Sequence, residues 1–581
     1  MRILAAICLL ALTMGWSACN TGDARDQQAV AEKEKSKYVG DELSVQHGMS
    51  IFNEHCASCH SFEEAGIGPN LSGVTSAMDK DWLVKFITNP PAVIESGDAR
   101  AVDLFKRFNQ YMPPFPNFSE EEMEHLLGFI HKFSEGEKKS INNRPGGILN
   151  PVVPKITTSD LTLVIEPWLT IPASAEKSPL ARINKMLSLP AKKGERLFVH
   201  DLRGTLYELV AGQPQIYLNL KEKQPNFIDN PGYGTGFGSF AFHPEFEKNG
   251  LLYTTHTEGK RTAPADFAIE DSIRTVLQWV LTEWTLADPA ATTFDGTHRE
   301  ILRADMYSNV HGFQELTFNP LSKPGNPDYG MLYLSVGDGG AALSNYTFLC
   351  DSKSRIWGSV IRIDPLGKNS SNGKYGIPKD NPFVSEAGAL GEIWARGFRN
   401  PHIITWDRTG SGKMFITNIG QHSIEEVNLG MAGADYGWPH REGTYLFDVK
   451  ANPELVYPLP ADDQGYTYPV LQYDHDEGNA VCGGFVYAGK KIPLLKGKYL
   501  FGDIPRGHLF FGEVQDMEPG KQGTVYRMQL EYQGKPAKLE EVTQNQRVDL
   551  RFGMDSAGEM YLLTKSNGMI YKVVDCKKAA L

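Results

Sequence analysis

Between residues 155 and 577 the chain repeats one local pattern: a short strand of alternating apolar residues, a turn rich in Gly, Asp or Asn, and a second strand. First strands of this pattern stand at 196–200, 251–255, 331–335, 414–417 and 560–564. Short strands that recur with turn signals predict an all-β propeller, with a pair of β-sandwiches as the alternative. Six blades of about 70 residues would divide the span, although periodicity alone does not count blades.

The composition fits a folded chain with more than one domain. Apolar residues make up 41% of the 581 residues, which is enough for a large core. The 58 basic and 70 acidic residues give a net charge of −12, and there is no basic block. A chain with this balance is a poor nucleic-acid binder, so we expect no nucleic-acid partner.

The first 19 residues are predicted to be a signal peptide, with a basic start, the apolar run 3–12 and small residues leading to Cys19. This ending resembles a bacterial lipoprotein signal in which Cys19 is lipidated, although Trp16 stands where that signal usually has Leu. Ordinary secretion and a buried N-terminal helix are the alternatives. The polar residues 20–44 are predicted to form a flexible tether. We therefore expect an extracytoplasmic protein, periplasmic or held at the outer membrane by a lipid anchor alone.

Cys56, Cys59 and His60 form a C-x-x-C-H sequence, which is the attachment signature of a c-type haem. The two thiols add to the haem vinyl groups, and the adjacent histidine supplies an axial nitrogen to the iron. A thioredoxin-like motif would need a βαβ context, whereas the flanking segments 45–53 and 81–88 are predicted to be helical. A zinc site would need a second ligand pair nearby, and the sequence has none.

Met112 is predicted to be the sixth ligand of the haem iron, because the Pro-rich segment after it is a rigid way to present a thioether. Met78 and Met123 are rivals, but Met123 lies on a predicted amphipathic helix where core packing explains it. Together with the sequence 68–71, these features make the segment 45–135 resemble a small, all-α class I cytochrome c. Ligation by His and Met raises the haem potential, which suits an electron acceptor.

Two further sequence patterns mark the last helix of this domain and the linker that follows it. Ser119 and Glu122 have the spacing of a capping box for a helix over 119–133. Residues 136–154 are polar and then rich in Pro and Gly, and they have no period of their own. They are predicted to be a linker to the domain 155–577.

Three further cysteines remain: Cys350, Cys482 and Cys576. An oxidising compartment permits a disulfide, but an odd number allows at most one among them and leaves one thiol spare. The sequence does not indicate which two would pair.

Seven motifs in the second domain occur in an order that resembles one family. They stand at 238–246, 311–316, 333–340, 358–365, 397–401, 419–426 and 435–439. Together they resemble the soluble glucose, aldose-sugar and sorbosone dehydrogenases that use pyrroloquinoline quinone (PQQ). The resemblance covers nearly all of 155–577 and implies a six-bladed β-propeller.

The resemblance implies catalytic roles for three residues. His311 would be the base that takes the hydroxyl proton of an alcohol, and Asp338 would orient its imidazole. Arg399 and Asn400 would bind PQQ, with Arg399 also stabilising charge on the quinone oxygen. The alternatives are a structural hydrogen bond for His311, a turn cap for Asp338 and a surface ion pair for Arg399.

The resemblance also implies Ca²⁺, which would contact PQQ and take the main-chain carbonyls of Gly420 and Gln421. A second, structural Ca²⁺ would use Glu426, with Tyr436 as a further candidate ligand; a solvated acidic loop is the alternative. Additional basic contacts to PQQ are assigned near Arg506. Another set is assigned near Arg547 or Arg551, where the register is uncertain by a few residues.

One departure concerns the substrate. Glucose-oxidising members carry a substrate-contacting Gln where this chain has 234–236, a Gly-Thr-Gly sequence, and the loop 473–481 also differs. The predicted activity is therefore oxidation of a sugar, polyol or related alcohol, with electrons passing through haem c to a soluble cytochrome or respiratory chain. A non-catalytic carbohydrate- or protein-binding propeller of the hedgehog-interacting type is the alternative. A lactonase-type hydrolase that uses Ca²⁺ alone is a third reading, which leaves the haem unexplained.

Overall fold

The computed structural model describes residues 37–56, 60, 62, 68–108, 112–134, 144–192, 194–230, 234–342, 344, 346–453, 455–463 and 465–578. The predicted leader with Cys19, most of the predicted tether and Cys59 lie outside the described residues. Helices occupy the described part of 42–134, and strands run from 157 to 578. No helix in these described ranges is long and apolar enough to cross a bilayer.

The N-terminal domain, which we call the haem domain, is built from six helices in the ranges described. These are α1 Glu42–His55, α2 Val74–Ala77, α3 Lys80–Thr88, α4 Pro90–Glu95, α5 Ala99–Phe108 and α6 Glu120–Ser134. The first and last helices cross closely at Gly48, where an added Cβ would lie 1.9 Å from the His125 carbonyl oxygen. Buried apolar residues of both helices, including Phe52 and Leu126, form the core of this domain.

Short polar contacts begin the two long helices. The Asp41 carboxylate accepts a hydrogen bond from the Ser44 backbone N–H at 3.0 Å and caps α1. The predicted capping box of α6 is confirmed, because the Ser119 N–H donates to the Glu122 carboxylate at 2.9 Å. In return, the Glu122 N–H donates to the Ser119 hydroxyl at 3.1 Å.

The described strands between 157 and 578 form a six-bladed β-propeller, as predicted. The first two blades comprise β2 Ile183–Ala191, β3 Gly194–Asp201, β4 Thr205–Val210, β5 Gln213–Asn219, β6 Phe237–Phe242, β7 Leu251–Gly259, β8 Leu277–Leu286 and β9 Gly296–Met306. The next two comprise β10 Phe313–Phe318, β11 Leu332–Val336, β12 Ser359–Ile363, β13 Ile393–Arg396, β14 Pro401–Trp406, β15 Met414–Asn418, β16 Ile424–Leu429 and β20 Leu471–Asp474. The fourth blade carries an inserted sheet of β17 Arg441–Glu442, β18 Tyr445–Phe447 and β19 Val456–Tyr457.

The last two blades close the ring. The fifth comprises β21 Val481–Val486, β22 Lys498–Asp503, β23 Leu509–Glu513 and β24 Tyr526–Tyr532, with β25 Lys535–Ala537 at its edge. The sixth comprises β26 Leu550–Met554, β27 Met560–Thr564, β28 Met569–Lys578 and the N-terminal strand β1 Thr157–Thr170. Among the described residues of this domain, four helices of four or five residues lie between strands: α7 Leu220–Lys223, α8 Phe246–Asn249, α9 Thr347–Cys350 and α10 Leu539–Thr543.

Closure depends on β1, which pairs antiparallel with β28 and parallel with β24. Leu163 and Ile165 on β1 are fully buried, and they lie opposite Cys576 and Val573 of β28. The first strand of the domain thereby completes the blade formed by its last strands, which leaves that sheet without an open seam.

The described part of the predicted linker lies on the propeller. Ile148 forms a backbone bridge to Val456 in the inserted sheet, and Arg144 pairs with Asp448 at 3.0 Å. Just beyond the predicted linker, Lys155 pairs with Asp474 at 2.8 Å. The propeller therefore holds the chain well before its first strand begins.

Cys350, Cys482 and Cys576 are buried and unpaired. Burial raises the pKa of the Cys482 thiol to about 12. Its Sγ lies 3.0 Å from the Leu550 carbonyl oxygen, to which it donates. These cysteines serve as small core residues.

Candidate functional site

One cavity of about 350 Å³ extends from the haem domain into the centre of the propeller and is lined by side chains of both. Nine of the residues predicted to form sites line it: Cys56, His60, Met112, His311, Arg399, Asn400, Gly420, Gln421 and Arg547. Asp338 lies directly behind His311 and is fully buried. The cavity thus brings both predicted cofactor sites into one continuous space.

On the haem-domain side, His60 is held in a fixed orientation. Its Nδ1 lies 2.9 Å from the Pro69 carbonyl oxygen, so Nδ1 carries the proton and Nε2 is left as an iron ligand. Gly68 permits this approach, because an added Cβ would lie 2.4 Å from His60 Cε1. Burial lowers the pKa of His60, which favours the neutral imidazole that a metal binds. Cys56, at the end of α1, is buried beside the same cavity.

The three candidate methionines have different surroundings. Met112 lines the cavity together with Pro113 and Phe115. Met123 is 6% exposed and belongs to the core on α6, and Met78 packs against the same core at the end of α2. Only Met112 of these three borders the space that His60 faces in the described structure.

On the propeller side, His311 stands in the connection between β9 and β10 with φ +49°, a left-handed conformation that is uncommon for a residue other than glycine. Its Nδ1 donates to Asp338 Oδ1 at 2.8 Å. The same carboxylate accepts hydrogen bonds from the Gly340 N–H at 2.7 Å and from Trp438 Nε1 at 2.9 Å. Asp338 therefore fixes both the tautomer and the orientation of the imidazole.

The electrostatics keep this imidazole neutral. Burial lowers the pKa of His311, the nearby charge of Arg399 lowers it further, and Asp338 opposes both effects. The pKa of Asp338 is held below its ordinary value although burial opposes this, chiefly because His311 donates to the carboxylate. A neutral imidazole beside an ionised carboxylate is the protonation state that a general base requires.

Arg399 and Asn400 stand between β13 and β14 at the wall of the cavity. Arg399 Nε donates to Gln421 Oε1 at 2.7 Å, and its Nη1 donates to the Ile419 carbonyl oxygen at 3.2 Å. Asn400 Oδ1 is buried and has no hydrogen-bond partner among the described residues. A buried amide oxygen without a partner at the wall of a cavity fits a ligand that donates a hydrogen bond there.

The loop that contains Gly420 and Gln421 folds around a carboxylate. Glu442 Oε1 accepts hydrogen bonds from four consecutive backbone N–H groups, from Gln421 to Ile424, at 2.7 to 3.2 Å. The amides of this loop therefore point toward Glu442. Within the described structure, no hydrogen bond occupies the carbonyl oxygens of Gly420 and Gln421.

Glu426 and Tyr436 have protein partners. The Glu426 carboxylate accepts from Asn418 and Asn428, both at 3.0 Å, and from the Gly443 N–H at 2.6 Å. The Tyr436 hydroxyl donates to the Leu429 carbonyl oxygen. Among the described residues there is no cluster of three His, Cys, Asp or Glu side chains suited to a metal. Glu426 is thus held by neighbouring amides, and its role as a Ca²⁺ ligand stays a prediction.

A sequence model described as Glucose / Sorbosone dehydrogenase matches residues 182–572. This span includes His311, Arg399 and the late basic residues Arg506, Arg547, Arg551 and Lys565. The chain belongs to the glucose/sorbosone dehydrogenase family. A second model, Cytochrome c, matches residues 45–134, so this family member carries a cytochrome c domain ahead of its propeller.

Relatives of this family member include plant and animal proteins. It is 28% identical to the HIPL2 protein of Arabidopsis thaliana over 345 residues, which cover 52% of this chain and 47% of that protein. It is 26% identical to the Hedgehog-interacting protein of Homo sapiens over 403 residues, 66% of this chain and 50% of that one. The chain thus spans about half the length of these curated relatives. The crystal structure of the soluble aldose sugar dehydrogenase from Escherichia coli covers 72% of this chain and 99% of its own, with a TM-score of 0.50 and 19% identity, and shows the shared fold.

The structure brings only part of the predicted late basic set to the cavity of this dehydrogenase-family chain. Arg506 is exposed at a turn in which the Asp503 carboxylate accepts its backbone N–H at 2.8 Å, and it does not line the cavity in the described structure. Arg547 lines the cavity and pairs with Asp549 at 2.9 Å. Arg551, the alternative to Arg547 in the sequence, lines the cavity as well.

Lys565, Asn184 and Arg182 were missed by the sequence analysis. Asn184 Oδ1 accepts hydrogen bonds from both Arg551 Nε at 2.9 Å and Lys565 Nζ at 2.8 Å. Burial, together with the charge of Arg551, lowers the pKa of Lys565 well below its ordinary value. The one sequence signal for Lys565 is a lysine placed directly after the apolar strand β27.

The charges around the cavity are strongly unbalanced. Its described lining includes five Arg and Lys side chains and one carboxylate, that of Asp549. The basic residues are Arg182, Arg399, Arg547, Arg551 and Lys565. A cavity lined mainly by basic side chains favours a ligand that brings several negative charges.

Proposed function

We propose that this protein is an extracytoplasmic dehydrogenase that oxidises a sugar or related alcohol with PQQ and Ca²⁺ and delivers the electrons to its own haem c. The observation that carries the proposal is the single cavity that contains a neutral histidine base, an excess of buried cations and the haem-ligand residues. The predicted signal sequence ending at Cys19 supports the extracytoplasmic location.

His311 is the general base of the proposed reaction. Because Nδ1 donates to Asp338, the unprotonated Nε2 is available to accept the hydroxyl proton of an alcohol. The buried Asp338 carboxylate stabilises the imidazolium that results. Gly340 and Trp438 hold that carboxylate in place, so the base does not need to reorient during turnover.

The cofactor would be held by the basic side chains. PQQ, when bound, supplies an ortho-quinone that accepts a hydride. It also carries three carboxylates, which need cationic partners. Arg547, Arg551 and Lys565 are suited to the carboxylates, whereas Arg399 and Asn400 border the same cavity as His311. The mainly basic lining supports this fit. Asn400 Oδ1, which is buried and has no partner among the described residues, can accept a hydrogen bond from an N–H or O–H group of a ligand. The carbonyls of Gly420 and Gln421 are the proposed Ca²⁺ ligands, since oxygen atoms suit that ion.

The haem would be attached through Cys56 and Cys59 and ligated by His60 and Met112. A cavity shared by the two domains supports direct transfer within one molecule, because described residues of both predicted cofactor sites line the same space. An external one-electron acceptor, such as a soluble cytochrome or a respiratory chain component, would then oxidise the haem.

The substrate class remains broad within this proposal. The Gly-Thr-Gly sequence 234–236 leaves Gly234 at the cavity lining. Gly234 has no side chain that could donate a hydrogen bond to a sugar hydroxyl. This favours a sugar or polyol substrate whose hydroxyl groups are arranged differently from those of the substrates of glucose-oxidising members.

The second candidate is a non-catalytic binding propeller that carries an electron-transfer cytochrome. It is favoured by the similarity to the Hedgehog-interacting protein of Homo sapiens. This candidate gives no role to the His311–Asp338 pair or to the buried cations.

Haem reduction distinguishes the two candidates. The haem-loaded, oxidised protein is mixed with PQQ and Ca²⁺, and then with aldoses, uronic acids and polyols, while the haem absorbance is followed. We expect reduction that requires PQQ and one class of substrate, is lost on chelation of Ca²⁺ and is abolished in His311→Ala. The exposed His298 provides a matched control, and His298→Ala should react like the wild type. Failure of PQQ to bind at all would refute the dehydrogenase and favour the binding protein.

A further inference from the structure

The haem domain and the propeller meet through polar contacts. Lys177, before β2, pairs with Glu95 at the end of α4. Arg274, before β8, pairs with Glu122 in the first turn of α6, with Nη1 2.9 Å from Oε1. In both pairs the propeller supplies the cation and the haem domain the anion.

The two domains keep separate hydrophobic cores. The buried apolar cluster of the haem domain contains only residues from 38 to 130, and among the described residues no such cluster combines side chains of both domains. An interface without a shared core resembles a transient protein–protein contact, for which relative domain motion is expected.

The ion pairs are exposed to solvent. The side chain of Glu95 is 60% exposed and that of Lys177 is 44% exposed. Arg274 is 48% exposed and Glu122 is 29% exposed. Exposed ion pairs are individually weak and are screened by salt, so contacts of this type hold two bodies together reversibly.

We propose that Lys177 and Arg274 form a docking surface that holds the haem domain over the cavity through Glu95 and Glu122, and that this docking is electrostatic and reversible. The inference rests on the proposed function in one respect, because its consequence is that electrons pass to the haem while the haem domain is docked. Oxidation of one CH–OH group to a carbonyl releases two electrons and two protons, whereas one haem stores one electron. The haem must therefore pass its first electron to an external one-electron acceptor before it receives the second. Release of the haem domain exposes its cavity-facing side to that acceptor.

The structural test measures the radius of gyration of the full, haem-loaded chain by X-ray scattering at low salt and at about 1 M NaCl, where the Debye length falls to about 3 Å. We expect a compact particle at low salt and a larger radius at high salt. The charge reversal Lys177→Glu with Arg274→Glu should give the larger radius at low salt already. Lys248→Glu with Lys577→Glu makes the same change in net charge at two cations that pair within the propeller, and it should leave the radius unchanged.

A charge exchange distinguishes the specific pair from a general loss of stability. Glu95→Lys added to Lys177→Glu recreates an ion pair of opposite polarity, so the radius should return toward the wild-type value. A radius that is the same in all variants and at both salt concentrations would overturn the proposal. Equal expansion in the Lys248 and Lys577 control would overturn it as well.

The functional test uses chemically reduced PQQ, because the substrate is not identified. Reduced PQQ and Ca²⁺ are bound to the protein with ferric haem, and haem reduction is followed by absorbance. We expect the double charge reversal to slow haem reduction by about tenfold, because the two exposed ion pairs that dock the haem domain are lost. Reduction of a small diffusible dye should stay unchanged. An unchanged haem rate would overturn the proposal, whereas failure of PQQ to bind would refute the proposed function and leave the scattering result to decide the docking.

Discussion

The backbone N–H of Asp338 donates to the carbonyl oxygen of Arg399 at 2.7 Å. Asp338 follows β11, and Arg399 precedes β14 in the next blade. Because the side chain of Asp338 also orients His311, one residue connects the histidine to the arginine across a blade boundary. The backbone positions that carry the side chains of His311 and Arg399 are therefore joined through Asp338.

Asp338→Asn is expected to lower the rate of haem reduction by roughly a hundredfold, because an amide stabilises neither the required tautomer nor the imidazolium. The loss should appear in the maximum rate more than in the substrate concentration needed for half of it. Asp364, which caps a turn through the Leu366 N–H at 3.0 Å, is a matched control in the propeller. Equal losses in Asp338→Asn and Asp364→Asn would indicate a structural role only.

The pH dependence of the reaction follows from the lowered pKa of His311. A base whose pKa lies below the ordinary 6.5 is unprotonated throughout the neutral range. We expect the second-order rate of haem reduction to be constant as the pH falls from 8 to about 6.5 and to decline only in more acidic solution. A decline that begins above the ordinary pKa would contradict this assignment of the base.

The sequence was informative where the chemistry depends on neighbouring residues. The C-x-x-C-H motif and the motifs around 311, 338 and 399 each occupy a short segment. In the described structure Cys56, His60, His311 and Arg399 line one cavity, and Asp338 lies directly behind His311. Lys565 and Asn184 could not be found in this way. Lys565 directly follows β27 of the sixth blade and Asn184 lies on β2 of the first blade, so the two residues meet only where the ring of blades closes.

Arg506 illustrates the opposite case. Its Pro-Arg-Gly surroundings resemble a cofactor contact, but the direction of its side chain depends on the turn that Asp503 organises. The contact between the haem domain and the propeller could not be predicted from the sequence either. It depends on surface ion pairs such as Lys177 with Glu95, which follow no sequence pattern.

Lys565→Met is expected to change stability and cofactor affinity in opposite directions. The pKa of Lys565 is lowered in the folded protein, so the protonated side chain opposes folding at every pH below its unfolded pKa, and this penalty disappears as the pH rises toward 10.5. Removing the amine should raise the Tm of the PQQ-free protein at pH 7 by about 2–4 °C. It should also weaken PQQ binding about tenfold or more, because a carboxylate loses its partner.

The two effects of Lys565→Met are measured by thermal unfolding and by titration with PQQ. The exposed Lys577 offers a matched control, and Lys577→Met should change neither quantity. Unchanged PQQ affinity in Lys565→Met would exclude this lysine from the cofactor site.

Met112→Leu is expected to lower the reduction potential of the haem, because replacement of the thioether by a hydrocarbon removes the ligand that favours the ferrous state. Met112 lines the cavity that His60 faces, whereas Met123 is buried in the α6 core and Met78 packs at the end of α2. Met78→Leu and Met123→Leu therefore conserve volume in the core and should leave the potential near the wild-type value. Potentiometric titration of the three variants identifies the ligand, and a large fall in either control with none in Met112→Leu would assign the iron to the rival methionine.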